Sequence, residues 1–316
     1  MIKPYSKILV CGGRGMVGSA IIRQLKSRGF NNILSPTSSE LDMTNQGRVD
    51  MYFKKHRPVF VFMAAAKVGG IHANDSKKAD FLYKNLMIQN NVIHHSYLYG
   101  VEKLLFLGSS CIYPKMSKQP IKEEYLMTGE LEPTNDSYAI AKIAGIKMCQ
   151  SYNEQHGTNF ISVMPTNLYG PNDNYDLEAS HVLPALIRKV HESMNSSDNN
   201  VVVWGSGNPK REFLYVDDLA EACVYLFEHH NGSEIVNIGT GEDISIRDLV
   251  YLIQDVIGHY CNVEFDQSKP DGTPRKLLDV SKLKEIGWEP KTSLRDGIDM
   301  TYKEFLKTLD TFSDKN

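Results

Sequence analysis

The stretch Ile8-Leu9-Val10-Cys11-Gly12-Gly13-Arg14-Gly15-Met16-Val17-Gly18 decides the fold. Four apolar residues read as a buried strand, glycines stand at 12, 15 and 18, and an amphipathic stretch starts near Ser19. In such a turn the first glycine permits the tight bend and the second lets backbone approach a pyrophosphate. The third lets helix and strand pack closely, with N–H groups aimed at the anion. The strand before and the helix after turn a weak motif into a dinucleotide cradle made by Gly12, Gly13, Arg14, Gly15, Met16, Val17 and Gly18.

Outward from this loop, short apolar runs alternate with longer amphipathic stretches. The strand candidates are Asn32–Ser35, Pro58–Ala66, Lys103–Leu107 and Phe160–Met164, and the helix candidates Asn45–His56, Asp80–Gly100 and Tyr138–Gly157. The alternation predicts a Rossmann-like α/β fold with a doubly wound parallel sheet. Residues 58–66 and 103–107 are almost continuously apolar, as strands covered on both faces should be. Past about Pro171 the pattern shifts to helices at Ser180–Met194 and Asp217–Glu228, short strands at Val201–Trp204 and Glu234–Ile238, and a polar loop over 195–200. We expect a nucleotide-binding domain over residues 1–170, rejoined by roughly 212–240, and a smaller α/β C-terminal lobe within 171–316 for the substrate.

Composition narrows the function classes. The chain has 316 residues with 35 basic and 38 acidic side chains, a net charge of −3, so no basic field invites nucleic acid or an anionic membrane. With 41% hydrophobic residues, one folded unit of this length buries about three quarters of its unfolded surface and needs neither disulfides nor metal. The most apolar stretch, 58–66, falls far short of the ~20 residues of a membrane span, and no signal peptide is readable. Cys11, Cys111, Cys149, Cys223 and Cys261 are odd in number, scattered and never in a CxxC pair, which places the chain in a reducing cytoplasm. The doublets His94-His95 and His229-His230 lack ligand partners at metal spacing, so no metal site is expected.

Cofactor choice turns on the second strand. An NAD-binding turn has an acid about 20 residues on to grip the ribose, but here the strand ends Ser35-Pro36-Thr37-Ser38-Ser39 with no carboxylate before Glu40. Arg14 can pair with a 2′-phosphate while Ser38 and Ser39 donate hydrogen bonds, so NADP(H) is expected. Tyr138 and Lys142 stand at i and i+4 on one helix face, and Ser109 follows the strand ending at Leu107. An ammonium beside a phenol lowers the phenol's pKa from about 10 toward neutrality, suiting it to exchange a proton with a carbonyl during hydride transfer. The serine hydroxyl would orient the same oxygen. Cys111, two residues beyond Ser109, can point into the same cleft, and a thiol near a cationic lysine is a base for a carbon acid. Arg211 precedes an apolar run and Asp217-Asp218, the setting of a strand-edge arginine facing a diphosphate.

At these residues the chain resembles the extended short-chain dehydrogenase/reductases, and more closely the GDP-L-fucose synthase family of 3,5-epimerase/4-reductases. The resemblance runs over nearly the whole chain, through Gly12–Gly18, Ala64–Gly70, Leu107–Pro114, Tyr138–Lys142, Met164–Pro171, Ser180–Val182, Trp204–Gly207, Arg211–Asp218 and Asp271–Lys276. Ser109-Ser110-Cys111 and Ser180-His181 look specific to that family. The resemblance implies Ser109, Tyr138 and Lys142 as a reductase triad, and Cys111 and His181 as the acid/base pair of epimerisation. It implies cofactor contacts from Leu107, Gly108, Ser109, Ser110, Lys142, Pro165, Thr166, Asn167, Leu168 and His181, and contacts to GDP-4-keto-6-deoxymannose from Lys189, Trp204, Arg211 and Asp279. Gly13 departs from the family, which often has a bulkier residue there.

The two long helices carry apolar residues on more than one face, among them Leu86, Ile88, Val92, Ile93, Ile143 and Met148, so a two-fold four-helix interface and a homodimer are expected. Two other readings compete. A sugar 4-epimerase or 4,6-dehydratase of the same superfamily holds NAD tightly, and the dehydratase typically has Thr-Asp-Glu where this chain has Ser109-Ser110-Cys111. A nucleotide-sensing regulator on this fold would usually lose the Tyr/Lys pair, which is present.

Overall fold

The computed structural model of the chain describes residues 3–177, 180–269 and 271–313. Strand β1 (Ile8–Cys11) is buried along its length and leads through the glycine turn into α1 (Met16–Ser27). Then follow β2 (Ile33–Leu34), α2 (Gln46–His56) and β3 (Phe60–Met63), with the Asn45 side chain accepting from Arg48 N to cap α2. Next come α3 (Ile71–Ser76), α4 (Lys78–Leu98), β4 (Lys103–Leu107), α5 (Asp136–His156) and β5 (Phe160–Pro165). The remaining strands are β6 (Asn167–Tyr169), β7 (Asn200–Trp204), β8 (Lys210–Arg211), β9 (Phe213–Tyr215), β10 (Val236–Ile238), β11 (Ile244–Ser245), β12 (Asn262–Asp266) and β13 (Arg275–Lys276). Interleaved with them are α6 (Val182–Ser193), α7 (Val216–His229), α8 (Ile246–Ile257), α9 (Ser281–Ile286) and α10 (Leu294–Ser313).

The main sheet has six strands in the order β10-β5-β4-β3-β1-β2, every pair parallel, with helices on both faces. β3, β4 and β5 are buried at every position, which explains their unbroken apolar sequence. Three small sheets build the rest: β7 with β12, β6 with β9, and β8 between β11 and β13. One core lies around the main sheet. A second gathers Leu183, Ile187, Val201, Val203, Leu249, Ile253, Ile298 and Phe305 from α6, β7, α8 and α10. The chain crosses between them more than once, because Val216–Ile238 and Leu278–Trp288 pack into the first core.

Element ends differ from expectation where side chains find other work. The 58–66 run stops as a strand at Met63, because Ala64 and Ala65 turn over the glycine loop. α1 begins at Met16, so Gly18 sits in its first turn, where a Cβ would run into the Gly12 carbonyl. α5 begins at Asp136 and so carries Tyr138 in its first turn. The strands β6, β8, β9, β11 and β13 have two or three residues each, too few for a period to register in sequence. α8 is different: Ile246, Leu249, Val250 and Ile253 are buried at helical spacing, a pattern the sequence carries and the expectation above lacks.

Glu212, 0% exposed, ties the two cores together. Its Oε1 accepts from Thr240 N at 2.7 Å and Gly241 N at 2.8 Å, and its Oε2 from Leu278 N at 3.0 Å. Burial pushes its carboxyl up, against those hydrogen bonds. Glu212→Gln would set an amide NH₂ against a backbone N–H, so we expect a loss of about 2 kcal/mol in urea unfolding. A variant within error of wild type would mean the carboxylate does not join the lobes.

Candidate active site

The glycine turn places backbone where an anion would lie. Gly12 has φ +78°, and a Cβ there would sit 2.9 Å from Ala65 Cα. Gly15 N donates to Gly12 O at 3.0 Å, and α1 starts without a side-chain cap or an acid in its first turn. At Gly15 a Cβ would meet only the Gly12 carbonyl, at 3.4 Å, so the approach stays open. The departure at Gly13 has a local cause, since Ser35 Oγ and Ile22 occupy the space a side chain would need. Met16 and Val17 are half-buried against the first core. These residues fit a dinucleotide pyrophosphate.

Arg14 is exposed and faces the loop after β2. Ser38 and Ser39 are exposed in that loop, with Ser39 Oγ 2.8 Å from Thr37 Oγ1. The structure adds a neighbour the sequence did not point to. Glu40 is held below the usual carboxylate range by hydrogen bonds from the Thr37 backbone and hydroxyl, and then by the Arg14 charge.

At the end of β4, Leu107, Gly108 and Ser110 are buried and Ser109 opens toward the cleft. Ser109 Oγ accepts from Cys111 N at 3.2 Å and hydrogen-bonds the Tyr138 hydroxyl. The structure corrects the expectation for Tyr138. Its phenol is raised, not lowered, by burial and by the neighbouring Cys111, with Ser109 opposing. Lys142 lies with Nζ 5.8 Å from the Tyr138 ring centre, 4.9 Å from the Phe106 ring, and donates to Leu107 O at 2.7 Å. Burial lowers Lys142 to about 8. Tyr138 is therefore fully protonated at neutral pH, the state a proton donor needs.

Cys111 differs from the buried cysteines. Burial pushes Cys11 and Cys149 up to about 12, and Cys223 up as well. Burial also works on Cys111, yet its thiol is lowered because Lys276 outweighs the desolvation together with Ser109 and Arg211. Lys276 Nζ donates to Cys111 Sγ at 3.4 Å. The cationic lysine expected beside this thiol is Lys276. His181, at the N-terminus of α6, is lowered by desolvation and then by the same Lys276 charge. The segment after Cys111 is pinned by Asn237, which accepts from Tyr113 OH at 2.6 Å and donates to Ile121 O at 2.9 Å.

Pro165 and Thr166 are buried at the end of β5, and Asn167 and Leu168 follow half-buried in β6. Asn167 Nδ2 donates to Glu212 O at 2.7 Å and Thr166 Oγ1 to the same carbonyl at 3.2 Å. Arg211 faces Cys111, Asp271 and Glu132. Asp271 accepts from Ser206 N at 2.7 Å and Ser206 Oγ at 2.8 Å, which carries the line on to Trp204, 53% exposed. Lys189 Nζ lies 5.7 Å from the Trp204 ring and donates to Val202 O at 2.7 Å. The Asp279 carboxylate accepts from Ser281 N at 2.9 Å at the start of α9, and Asp271, eight residues earlier, faces Arg211. Asp271 and Lys276 lie in a stretch the resemblance quotes, but nothing in the spacing says that β13 pairs with β8 and that Leu277 and Leu278 pair with Gln119 and Ile121, the contacts that bring Lys276 to the thiol. Among the described residues no group of three or more His, Cys, Asp or Glu is placed to hold a metal, and no helix is long and apolar enough to cross a membrane.

A parallel sheet of this order, with a glycine turn at the end of its first strand and serine, tyrosine and lysine at the ends of β4 and α5, defines the extended short-chain dehydrogenase/reductase class. The chain belongs to the NAD dependent epimerase/dehydratase family, whose pattern it matches over residues 8–239. It is 58% identical to GDP-L-fucose synthase 1 of Arabidopsis thaliana over 304 residues, 96% of this chain and 94% of that protein. It is 51% identical to GDP-L-fucose synthase of Escherichia coli K12 over 315 residues, 97% of this chain and 98% of that protein. The solved GDP-L-fucose synthetase of Naegleria fowleri bound to NADP superposes with a TM-score of 0.91 at 30% identity, covering 98% of this chain and 97% of that one.

Proposed function

We propose that this chain is a GDP-L-fucose synthase: an NADPH-dependent enzyme that inverts C3 and C5 of GDP-4-keto-6-deoxy-D-mannose and reduces C4. The observation that carries the reading is the Cys111 thiol in contact with the Lys276 ammonium at 3.4 Å, beside the Ser109–Tyr138 pair. A plain reductase has no use for a thiolate at the carbonyl, whereas inversion next to a ketone requires a base there. Relatives named GDP-L-fucose synthase across plants and bacteria support the choice of substrate.

NADPH, when bound, supplies the hydride for C4. Gly12–Gly18 hold its pyrophosphate, and Arg14 with Ser38 and Ser39 its 2′-phosphate. Leu107, Gly108, Ser110 and Pro165–Leu168 line the nicotinamide side. Ser109 orients the C4 oxygen and Tyr138 protonates it, with Lys142 offsetting the charge left on the phenol. Cys111 takes the proton from carbon and His181 returns one to the opposite face. Trp204, half-exposed with Lys189 over its ring, offers an aromatic surface to the base, and Arg211 meets the diphosphate. Asp279, ahead of α9, completes the contacts to the sugar nucleotide.

Tyr83 and Ile140, 63% and 49% exposed on the outer faces of α4 and α5, support a homodimer through these helices, and five free cysteines support a cytoplasmic site. The net charge of −3 supports a small-molecule partner over nucleic acid or membrane.

The test is to mix purified protein with NADPH and GDP-4-keto-6-deoxymannose and follow the nicotinamide absorbance. We expect oxidation that depends on the sugar nucleotide; none at any concentration would end the proposal. Cofactor choice has its own test. Arg14→Ala should narrow the preference for NADPH over NADH by about tenfold or more in a binding titration, as losing one charge-assisted contact does. Equal wild-type affinities for the two would remove Arg14 from this role.

A further inference from the structure

We infer that Lys276 is the counter-ion for the Cys111 thiolate, a positioning residue for the proton transfer. The inference rests on the reading of Cys111 as the base and adds where that base gets its charge. Lys276 Nζ donates to Cys111 Sγ at 3.4 Å from a strand 165 residues away in sequence. β13 puts it there by pairing with β8, so that Lys276 lies in register with Arg211 and cations from neighbouring strands face one thiol. The adjacent Arg275 serves another purpose, pairing with Asp243.

The remaining groups at the thiol cannot substitute for that charge. Ser109, from the turn after β4, contributes a hydroxyl, and Tyr138, from α5, is a protonated phenol. Arg211 is shared with the carboxylates of Asp271 and Glu132. Lys276 also faces His181, where the same ammonium disfavours a second positive charge. One side chain therefore biases both members of the proposed acid/base pair, toward thiolate on one side of the cleft and neutral imidazole on the other. Removing it should move both titrations upward, a double signature that loss of a merely structural contact would not produce.

The test is the pH dependence of Cys111 alkylation by iodoacetamide, followed by mass spectrometry of the peptide containing Cys111 in the full-length protein. In Lys276→Met the midpoint should rise by about one pH unit or more, cutting the rate near pH 7 about tenfold, and Lys276→Arg should restore most of it. The His181 ring, titrated by NMR in the same variants, should move up with it. If Lys276→Met fails to fold, as judged by NADPH binding, Lys276→Gln replaces it. An unchanged midpoint in the neutral variants, or an Arg variant as shifted as they are, would overturn the inference. No sugar nucleotide enters the experiment. If Cys111→Ala turns out to epimerise normally, the assignment of the base fails while the alkylation profile still decides the role of Lys276.

Discussion

Tyr138→Phe is expected to lower NADPH-dependent turnover by about 100-fold or more, some 2.7 kcal/mol of transition-state stabilisation, with little change in substrate affinity. As C4 is reduced, its oxygen gains charge and needs a proton in the same step. Tyr138 is placed to give it. Burial and the neighbouring Cys111 keep the phenol protonated, and Ser109 is hydrogen-bonded to it. Phenylalanine keeps the packing and removes only the donor. The charge left on the phenol is stabilised by Lys142, whose ammonium lies 5.8 Å from the ring centre. Because Lys142 is lowered to about 8, its charge is present below that pH and lost above it, so turnover should decline as pH rises through about 8. A Phe variant with near-normal turnover would mean that another group donates the proton.

Much of this cleft was legible in the sequence because its parts are local. The glycine turn and the i, i+4 pair Tyr138 and Lys142 are short-range patterns that helix and strand geometry translate directly into space. Ser109 and Cys111 are nearly as local, one turn beyond β4. What sequence could not supply was assembled by long-range pairing. Lys276 meets Cys111 through the β8–β13 ladder, and Glu212 joins Thr240, Gly241 and Leu278 from separate segments. The phenol's direction of shift departs from the sequence expectation for a related reason. The i, i+4 spacing brings Lys142 near Tyr138 but does not say how far both groups are buried, and burial decides the outcome.

The second large effect concerns the carbon acids. A C4 ketone acidifies the hydrogens on C3 and C5, and inversion requires removal of a proton from one face and its return to the other. Cys111→Ala removes the base and leaves Ser109, Tyr138 and Lys142 in place. Solvent deuterium at C3 and C5 should fall by about 100-fold or more, while some NADPH oxidation continues and yields an un-inverted 6-deoxyhexose nucleotide. His181→Ala should have the same qualitative result. In the wild type, exchange should be bell-shaped with pH. Thiolate is gained as pH rises through the lowered Cys111 pKa, and imidazolium is lost as pH rises through the lowered His181 pKa. Exchange at the wild-type rate in Cys111→Ala would make the cysteine structural.

The central claim is that one cleft both inverts and reduces, and the most direct measurement is NMR of the product made by the wild-type protein from GDP-4-keto-6-deoxymannose and NADPH in D₂O. The account predicts a fuco-configured sugar with solvent deuterium at C3 and C5 and protium from NADPH at C4. A reduced sugar with protium at all three carbons and no inversion would contradict it, leaving a simple 4-reductase.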